Sequence, residues 1–187
     1  MLPDRVGIKP APGRLKLVQS FLNTTNPKSD RDDFDGPDVL REWLADSGLL
    51  EGRAKITAAD VAQAKAVRDA LRDLLQDGIS AQARSEAVAT LNRTTRSSQM
   101  AVSFDADGRA RVAPLAPSVD GALGKIIAIV VDAMADGTWS NLKLCGGHDC
   151  SWAFYDRSKN HSGAWCDISD CGNVAKVRAY RARQTSQ

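Results

Sequence analysis

Four cysteines in one short segment constrain this chain more than any other feature. All of its thiols lie between Cys145 and Cys171, in two Cys-x4-Cys pairs separated by fifteen residues. Tetrahedral zinc requires four ligands, and two turns that each supply a pair of thiolates provide them, with four residues at the wide end of the usual spacing. We therefore predict one zinc ion held by Cys145, Cys150, Cys166 and Cys171.

Other roles for the cysteines fit less well. The N-terminus lacks the apolar core of a signal peptide, which disfavours a disulfide framework, and neither pair is Cys-x-x-Cys, which disfavours a redox site. A closed shell of four sulfurs leaves no position for a reactive water, so we expect a structural rather than a catalytic zinc.

His148 and His161 flank the cysteines. We expect both at the surface or beside the ligands, with replacement of a ligand as the alternative.

The residues around the cysteines indicate how the module folds. Gly146 and Gly147 allow the first pair to turn back on itself, and Gly172 can take a positive φ that other residues avoid. The segment WAFYD predicts a short strand. The module is too small for a core of its own, so metal and aromatic side chains are expected to stabilise it.

Apolar periodicity predicts helices over most of the preceding chain. The stretch RLKLVQSFLNT fits either a strand or a short helix. Later helices are predicted over about 38–47, from a capping box of Thr57 and Asp60 to near Gly78, and over about 81–94. Ser118 or Asp120 is expected to cap a last helix, which ends at Gly137. Its apolar residues, which include Val131 and Met134, predict burial on most sides.

The segment MAVSFDADGRARVAP predicts a hairpin around Asp107 and Gly108. The expected fold is α+β. It comprises a mainly helical N-terminal domain over 1–138 with a small antiparallel sheet, followed by a small C-terminal zinc-binding module over 139–187.

Charge is segregated along the chain although the formal net charge is only +2. The stretch SDRDDFDGPD is acidic, whereas no carboxylate side chain follows Cys171. The segment VAKVRAYRARQTSQ predicts a helix with cations at Lys176, Arg178, Arg181 and Arg183. These cations fit contacts with DNA phosphates, and they also fit a solvated helix end whose charge suits the helix dipole.

The N-terminal domain lacks recognisable catalytic chemistry. It contains no histidine, no cysteine and no glycine-rich phosphate loop. Asp32, Asp33 and Asp35 are close together, and a solvated acidic loop explains them better than paired catalytic carboxylates. No apolar run approaches the roughly 18 residues that span a bilayer. We therefore expect a non-enzymatic, cytoplasmic protein without a membrane partner.

The segment CSWAFYDRSKNHSGAWCDISDCGN, with the cysteine before it, closely resembles the CGNR zinc finger. LVQSFLNTTN, followed by DVLREWLADSGLL, is similar to the ABATE domain that precedes that finger. Together the resemblance covers nearly the whole chain. It implies a bacterial transcription regulator of the stress-induced type, with zinc held by the four cysteines and DNA bound by the finger.

Three positions near the finger depart from the family pattern. Val174 follows Cys-Gly-Asn where the family has arginine, and Gly163 and Ala164 precede the Trp-Cys pair where arginine is common. Fewer cations beside the metal weaken the DNA prediction and leave the zinc prediction unchanged. The alternative is a protein-interaction protein in which the zinc module is purely structural.

Asn23 and Thr24 match an Asn-Thr pair of the ABATE domain, while Ser20 replaces an acidic residue that is common there. The resemblance makes Asn23 and Thr24 candidate contacts for a small-molecule ligand of the N-terminal domain. A local capping role is the alternative.

Overall fold

The computed structural model describes residues 8–50 and 54–185. Over these residues the chain forms six α-helices and three two-stranded antiparallel sheets. The helices are α1 (Leu15–Leu22), α2 (Pro37–Asp46), α3 (Ala58–Leu75), α4 (Ala81–Ser97), α5 (Val119–Ala135) and α6 (Asn173–Thr185). The strand pairs are β1 (Thr25–Asn26) with β2 (Arg31–Asp32), β3 (Met100–Phe104) with β4 (Ala110–Pro114), and β5 (Leu142–Leu144) with β6 (Ala153–Tyr155). The predicted α+β class, with a helical N-terminal region and a C-terminal cysteine cluster, is confirmed.

The ambiguous stretch near the N-terminus is the helix α1. Its apolar face is fully buried at Val18, Phe21 and Leu22, and the helix packs against α3 and α5. Phe21 also contacts Phe34 and Trp43, with ring centroids 6.1 and 5.4 Å away. This aromatic group fixes α2 and the acidic loop onto the helical core.

Local signals located the other helices well. The capping box that begins α3 is present, since Asp60 N–H donates to Thr57 Oγ1 at 3.3 Å and Thr57 N–H donates to Asp60 Oδ2 at 2.7 Å. Helix α3 ends at Leu75, before Gly78, which has a φ of 71°. Helix α4 runs three residues beyond its predicted end at 94. The hairpin of β3 and β4 is confirmed, and its turn includes Gly108 at a φ of 74°.

Helix α5 differs from its prediction in two respects. Val131 and Met134 are 41% and 48% exposed, because they lie on the side of the helix that faces away from the core. Ser118 makes no side-chain hydrogen bond to the start of the helix. Asp120 does not cap it either, since its Oδ1 accepts hydrogen bonds from side chains of α3 and α4. Asp120 therefore ties α5 to α3 and α4 instead of capping its first turn.

The hydrophobic core continues across the predicted domain boundary. Leu142, Ala153 and Tyr155, from β5 and β6, belong to the same buried cluster as the N-terminal helices. At the outer edge of β6, Tyr155 N–H donates to Lys9 O at 3.1 Å. The division at 138/139 stays a prediction, and side chains pack across it.

None of the helices within 8–50 and 54–185 combines the length and apolarity needed to cross a membrane.

Candidate metal centre

The first cysteine pair lies on a tight turn at the end of β5. Cys145 N–H donates to Trp152 O at 2.9 Å, which extends the pairing of β5 with β6 by one rung. Space is tight at Gly147, the second of the two glycines in this turn, because a Cβ there would lie 3.1 Å from Cys150 Cβ and 3.4 Å from Cys171 Sγ. Gly147 therefore allows the backbone to pass directly beside the sulfurs.

The second pair is held by a π-helical turn over Ile168–Gly172. Asp167 caps this turn by accepting hydrogen bonds from the backbone and the hydroxyl of Ser169. Gly172 does not adopt a positive φ, since the turn is right-handed. Close packing is the local feature at Gly172 instead, since a Cβ would lie 3.3 Å from Trp165 Cδ1.

The structure brings the four predicted ligands together. Their sulfur atoms lie within 4.8 Å of one another, and all four side chains are buried. Cys150 Sγ is 3.6 Å from Cys166 Sγ, which in turn is 3.7 Å from Cys171 Sγ. Zinc–sulfur bonds of ~2.3 Å in a tetrahedron place sulfurs ~3.8 Å apart, so the cluster has the size of a zinc–thiolate shell. These separations far exceed the ~2.05 Å of a disulfide.

The close packing of the four thiols shifts their pKa values in opposite directions. Hydrogen bonds with the thiols of Cys150 and Cys166 lower the pKa of Cys145 to about 2. The hydrogen bond with Cys145 raises the pKa of Cys166, and burial raises the pKa of Cys171 to about 12. A divalent cation offsets the repulsion among thiolates, so the site favours metal binding with all four sulfurs deprotonated.

Backbone groups and aromatic rings complete the surroundings of the sulfurs. The N–H groups of Gly147 and Cys166 both point at Cys145 Sγ from 3.4 Å, which stabilises negative charge on that sulfur. Trp152 and Phe154 pack in the same buried cluster as the cysteines, and Trp165 covers one side. The predicted strand of WAFYD is confirmed as β6.

The two histidines lie outside the cluster of sulfurs. His148 is largely exposed and contacts the carboxylate of Asp149, while His161 is exposed and has a φ of 47°. The group of clustered metal-ligand residues found among the described residues consists of the four cysteines alone.

A buried arginine joins the helical region to the first cysteine turn. Arg72 on α3 donates to Leu22 O at 2.8 Å and to the carbonyl and hydroxyl oxygens of Ser151 at 2.7 and 2.9 Å. Asn26 Oδ1 accepts from the backbone and hydroxyl of the same serine. Burial, aided by the charge of Arg68, lowers the pKa of Arg72 to about 10. Ser151, the residue next to Cys150, is thus held in place by side chains of α3 and β1.

The candidate ligand contacts Asn23 and Thr24 lie at this same junction. Asn23 binds Ala153 through both ends of its amide, accepting from Ala153 N at 2.7 Å and donating to Ala153 O at 3.0 Å. Thr24 Oγ1 donates to Phe21 O and accepts from Arg68. Their side chains therefore hold α1 against β6 and α3.

The acidic loop is not simply solvated. Arg68, with 2% of its surface exposed, donates to both carboxylate oxygens of Asp32 at 2.9 Å, and Asp33 pairs with Arg31. Partial burial raises the pKa of Asp32, but the hydrogen bonds and charge of Arg68 outweigh it and lower that pKa to about 2. These contacts anchor the loop to α3.

The predicted basic helix is present as α6, which begins two residues after Cys171. Its cationic side chains are exposed. They are Lys176, Arg178, Arg181 and Arg183. Arg178 Nη2 lies 3.6 Å from Asp149 Oδ2, next to the first cysteine pair. Val174 is 44% exposed at the start of the helix.

Gly163 has a local reason to replace the family's arginine. Its N–H donates to Asp156 Oδ2 at 2.7 Å, and a Cβ at this position would lie 2.6 Å from Asp156 Oδ1. A side chain at 163 would displace a buried carboxylate that also binds Lys143.

Sequence reasoning missed the buried arginines at the junction. One signal was available: Ala64, Arg68 and Arg72 follow one another at intervals of four and so share the buried face of α3. No local pattern reveals their acceptors, which lie in other elements.

A helical α+β region joined to a module built on four clustered cysteines defines a two-part zinc-finger protein. Comparison with known families agrees with both parts: the CGNR zinc finger matches residues 141–184, and the family described as "Putative stress-induced transcription regulator" (ABATE) matches residues 15–137. The chain belongs to this ABATE family. A comparison with curated proteins finds no match. The predicted families and the predicted zinc cofactor are confirmed.

Proposed function

We propose that the protein is a non-enzymatic transcription regulator of the cytoplasm. The zinc module presents α6 to DNA, and the N-terminal domain responds to a small-molecule ligand. Since Asn23 and Thr24 use their side-chain polar atoms within the protein, such a ligand would bind elsewhere in that domain.

The observation that supports DNA binding is the position of α6. The helix leaves the cysteine cluster directly, it has no acidic side chain, and its four cations are exposed. Arginine and lysine neutralise phosphates without reading base sequence, so this helix would supply affinity and orientation. Four phosphate contacts correspond to a slope of about −4 in a plot of log affinity against log salt.

The test is a titration of fluorescent duplex DNA at several salt concentrations. The triple variant Arg178→Gln, Arg181→Gln, Arg183→Gln is expected to reduce the magnitude of the salt slope by about 3, because each lost phosphate contact removes about one. The matched control neutralises three exposed arginines of α4, by Arg84→Gln, Arg93→Gln and Arg96→Gln. Equal losses in the two variants, or no salt-dependent binding by the unaltered protein, would reject DNA binding through α6.

A second candidate function is protein interaction with a purely structural zinc module. It is favoured by three exposed apolar residues on α6, Val174, Val177 and Tyr180, which are 44%, 47% and 57% exposed. The exposed apolar side chains of a helix suit a protein partner better than a phosphate backbone. The same titration separates the two candidates, since a protein-binding helix gives no DNA affinity that falls with salt.

A further inference from the structure

A cleft of about 770 Å³ opens where the end of α3 meets β5. Its apolar lining includes Leu75, Trp139 and Leu144, each partly buried against the main core. The opposite rim carries the small residues Ser162 and Ala164. The walls therefore leave room for a backbone to lie against β5.

The hydrogen bonds of β5 show which backbone groups face this cleft. Cys145 N–H donates to Trp152 O, Asp156 N–H donates to Asn141 O, and Lys143 pairs with Phe154 in register. In an antiparallel pair, alternate residues direct their N–H and C=O groups toward the partner strand and away from it. The backbone N–H and C=O groups of Leu142 and Leu144 therefore point away from β6.

Three outward backbone groups of β6 are already bonded. Tyr155 N–H donates to Lys9 O, so the N-terminal segment lies against that edge. The amide of Asn23 binds both the N–H and the C=O of Ala153. The backbone of Lys9 and the side-chain amide of Asn23 thus cover this edge of the sheet.

The outward edge of β5 is closed only at its ends. Leu142 N–H donates to Trp139 O, and Gly146 N–H donates to Ala164 O at 2.9 Å. Between them, both backbone groups of Leu144 have no hydrogen bond with another described residue. Leu144 lines the cleft and is partly exposed, whereas Leu142 is only 2% exposed. The accessible edge is therefore the donor and the acceptor of Leu144 beside an apolar wall.

We propose that an extended peptide from a partner protein binds in this cleft as a third strand paired with β5. A β-strand presents the matching donors and acceptors at the matching spacing, and such strand addition is a common mode of peptide recognition. The short edge takes a segment of about three to five residues. One apolar side chain of that segment packs against Leu75, Trp139 and Leu144. Because the strand leads directly into Cys145, the peptide lies beside the first cysteine turn.

The experiment uses the full-length zinc-loaded protein and a panel of blocked pentapeptides. Their second and fourth residues are Leu, Ile, Val, Phe or Tyr, and the others are Ser or Thr. Amide hydrogen exchange is measured by NMR with and without each peptide. In the free protein the Leu144 amide is expected to exchange faster than that of Cys145, which is bonded to Trp152 O. A binding peptide is expected to slow exchange at Leu144 by about tenfold and to leave Cys145 unchanged.

Two controls separate strand addition from simple apolar binding. N-methylation of the central peptide amides is expected to abolish binding, because it removes the donors. Ser162→Trp is expected to fill the cleft and block binding, whereas the same substitution at the exposed Ser85 of α4 leaves binding intact. The proposal is overturned if no peptide protects Leu144, if N-methylated peptides bind as well, or if the two tryptophan variants behave alike.

Discussion

The pair of Arg68 and Asp32 shows how a single buried charge fixes a loop. Arg68 is almost wholly enclosed, and its guanidinium donates to both oxygens of a carboxylate that keeps about a third of its side chain exposed. A buried cation of this kind requires ionised partners, and Arg68 has a second one in Asp69, whose Oδ1 accepts from Arg68 Nε at 3.0 Å, but Asp32 is the partner that lies in the acidic loop. The position of the acidic loop on α3 is therefore tied to the charge state of Asp32.

Asp32→Asn is expected to lower the free energy of unfolding by about 2 kcal/mol at neutral pH, a value reduced from that of fully buried pairs because Asp32 is partly exposed. The pKa of Asp32 is lowered from 3.8 to about 2 in the folded protein. Its contribution is thus present above pH 3.8 and lost as the pH falls toward 2.

Urea unfolding of the unaltered protein and the variant between pH 2 and pH 7 measures this difference. The curves should converge near the acid end of the range. Asp35→Asn, at an exposed position of the same loop, serves as the control and should change stability little. A constant difference between Asp32→Asn and the unaltered protein at every pH would contradict the assignment.

At the scale of residues, the sequence predicted the clustering of the four cysteines but not the burial of Arg68 and Arg72. Four thiols at metal-ligand spacing have few other uses, so the sequence alone located the cluster. Arginine is ordinarily exposed, so Arg68 and Arg72 gave no reason to expect burial beyond their helical spacing. Their acceptors, Asp32 and Ser151, become neighbours only in the folded chain.

At the scale of elements, the two cysteine turns are built differently. The first turn depends on Gly147, whose backbone lies directly beside the sulfurs. The second depends on a capped π-helical turn that leads into α6. Helices and the hairpin of β3 and β4 could be predicted because their caps, periodicity and turn residues are local. The π-helical turn could not, because no propensity distinguishes it from an ordinary helix start.

Gly147→Ala is expected to weaken zinc binding by about tenfold, because the added methyl group enters the space among Cys150 and Cys171 and displaces the sulfurs. Competition with a chromogenic chelator measures the affinity. Gly146→Ala is the matched control, since its nearest contact would be an ordinary 3.4 Å to Trp165. Equal affinities for the two variants would contradict the crowding argument.

At the scale of the whole molecule, the zinc module and the helical region share one core. β5 and β6 contribute Leu142, Ala153 and Tyr155 to it, and Arg72 spans the junction. This shared core could not be predicted from the sequence. Apolar periodicity indicates which face of a helix or strand is buried, but not which other element packs against that face. The end of the last predicted helix at Gly137, just before the cysteine segment, suggested separation, whereas packing is continuous there.

Zinc removal is therefore expected to destabilise the entire chain. Thermal unfolding followed by far-ultraviolet circular dichroism, which reports mainly helices, and by tryptophan fluorescence should shift together on chelation. Arg72→Met is expected to separate the two transitions, because it removes two hydrogen bonds to Ser151 across the junction and a third to Leu22 O within the helical region. It should also cost about 3 kcal/mol in the free energy of unfolding.

Arg84→Met, on the exposed face of α4, serves as the control and should keep a single transition. If chelation shifts only the fluorescence signal in the unaltered protein, the shared core does not couple the two regions.

The amide of Gln19 has a consequence for how the chain is made. It donates to Ala153 O, a partner 134 residues away, while its oxygen accepts from Ala11 N. During synthesis the early helices emerge long before β6 exists, so the hydrogen bonds of Gln19 to Ala153 and of Arg72 to Ser151 can form only after the finger leaves the ribosome. Such distant contacts form late, and they make the finger the last part of the protein's interior to fold rather than an appendage.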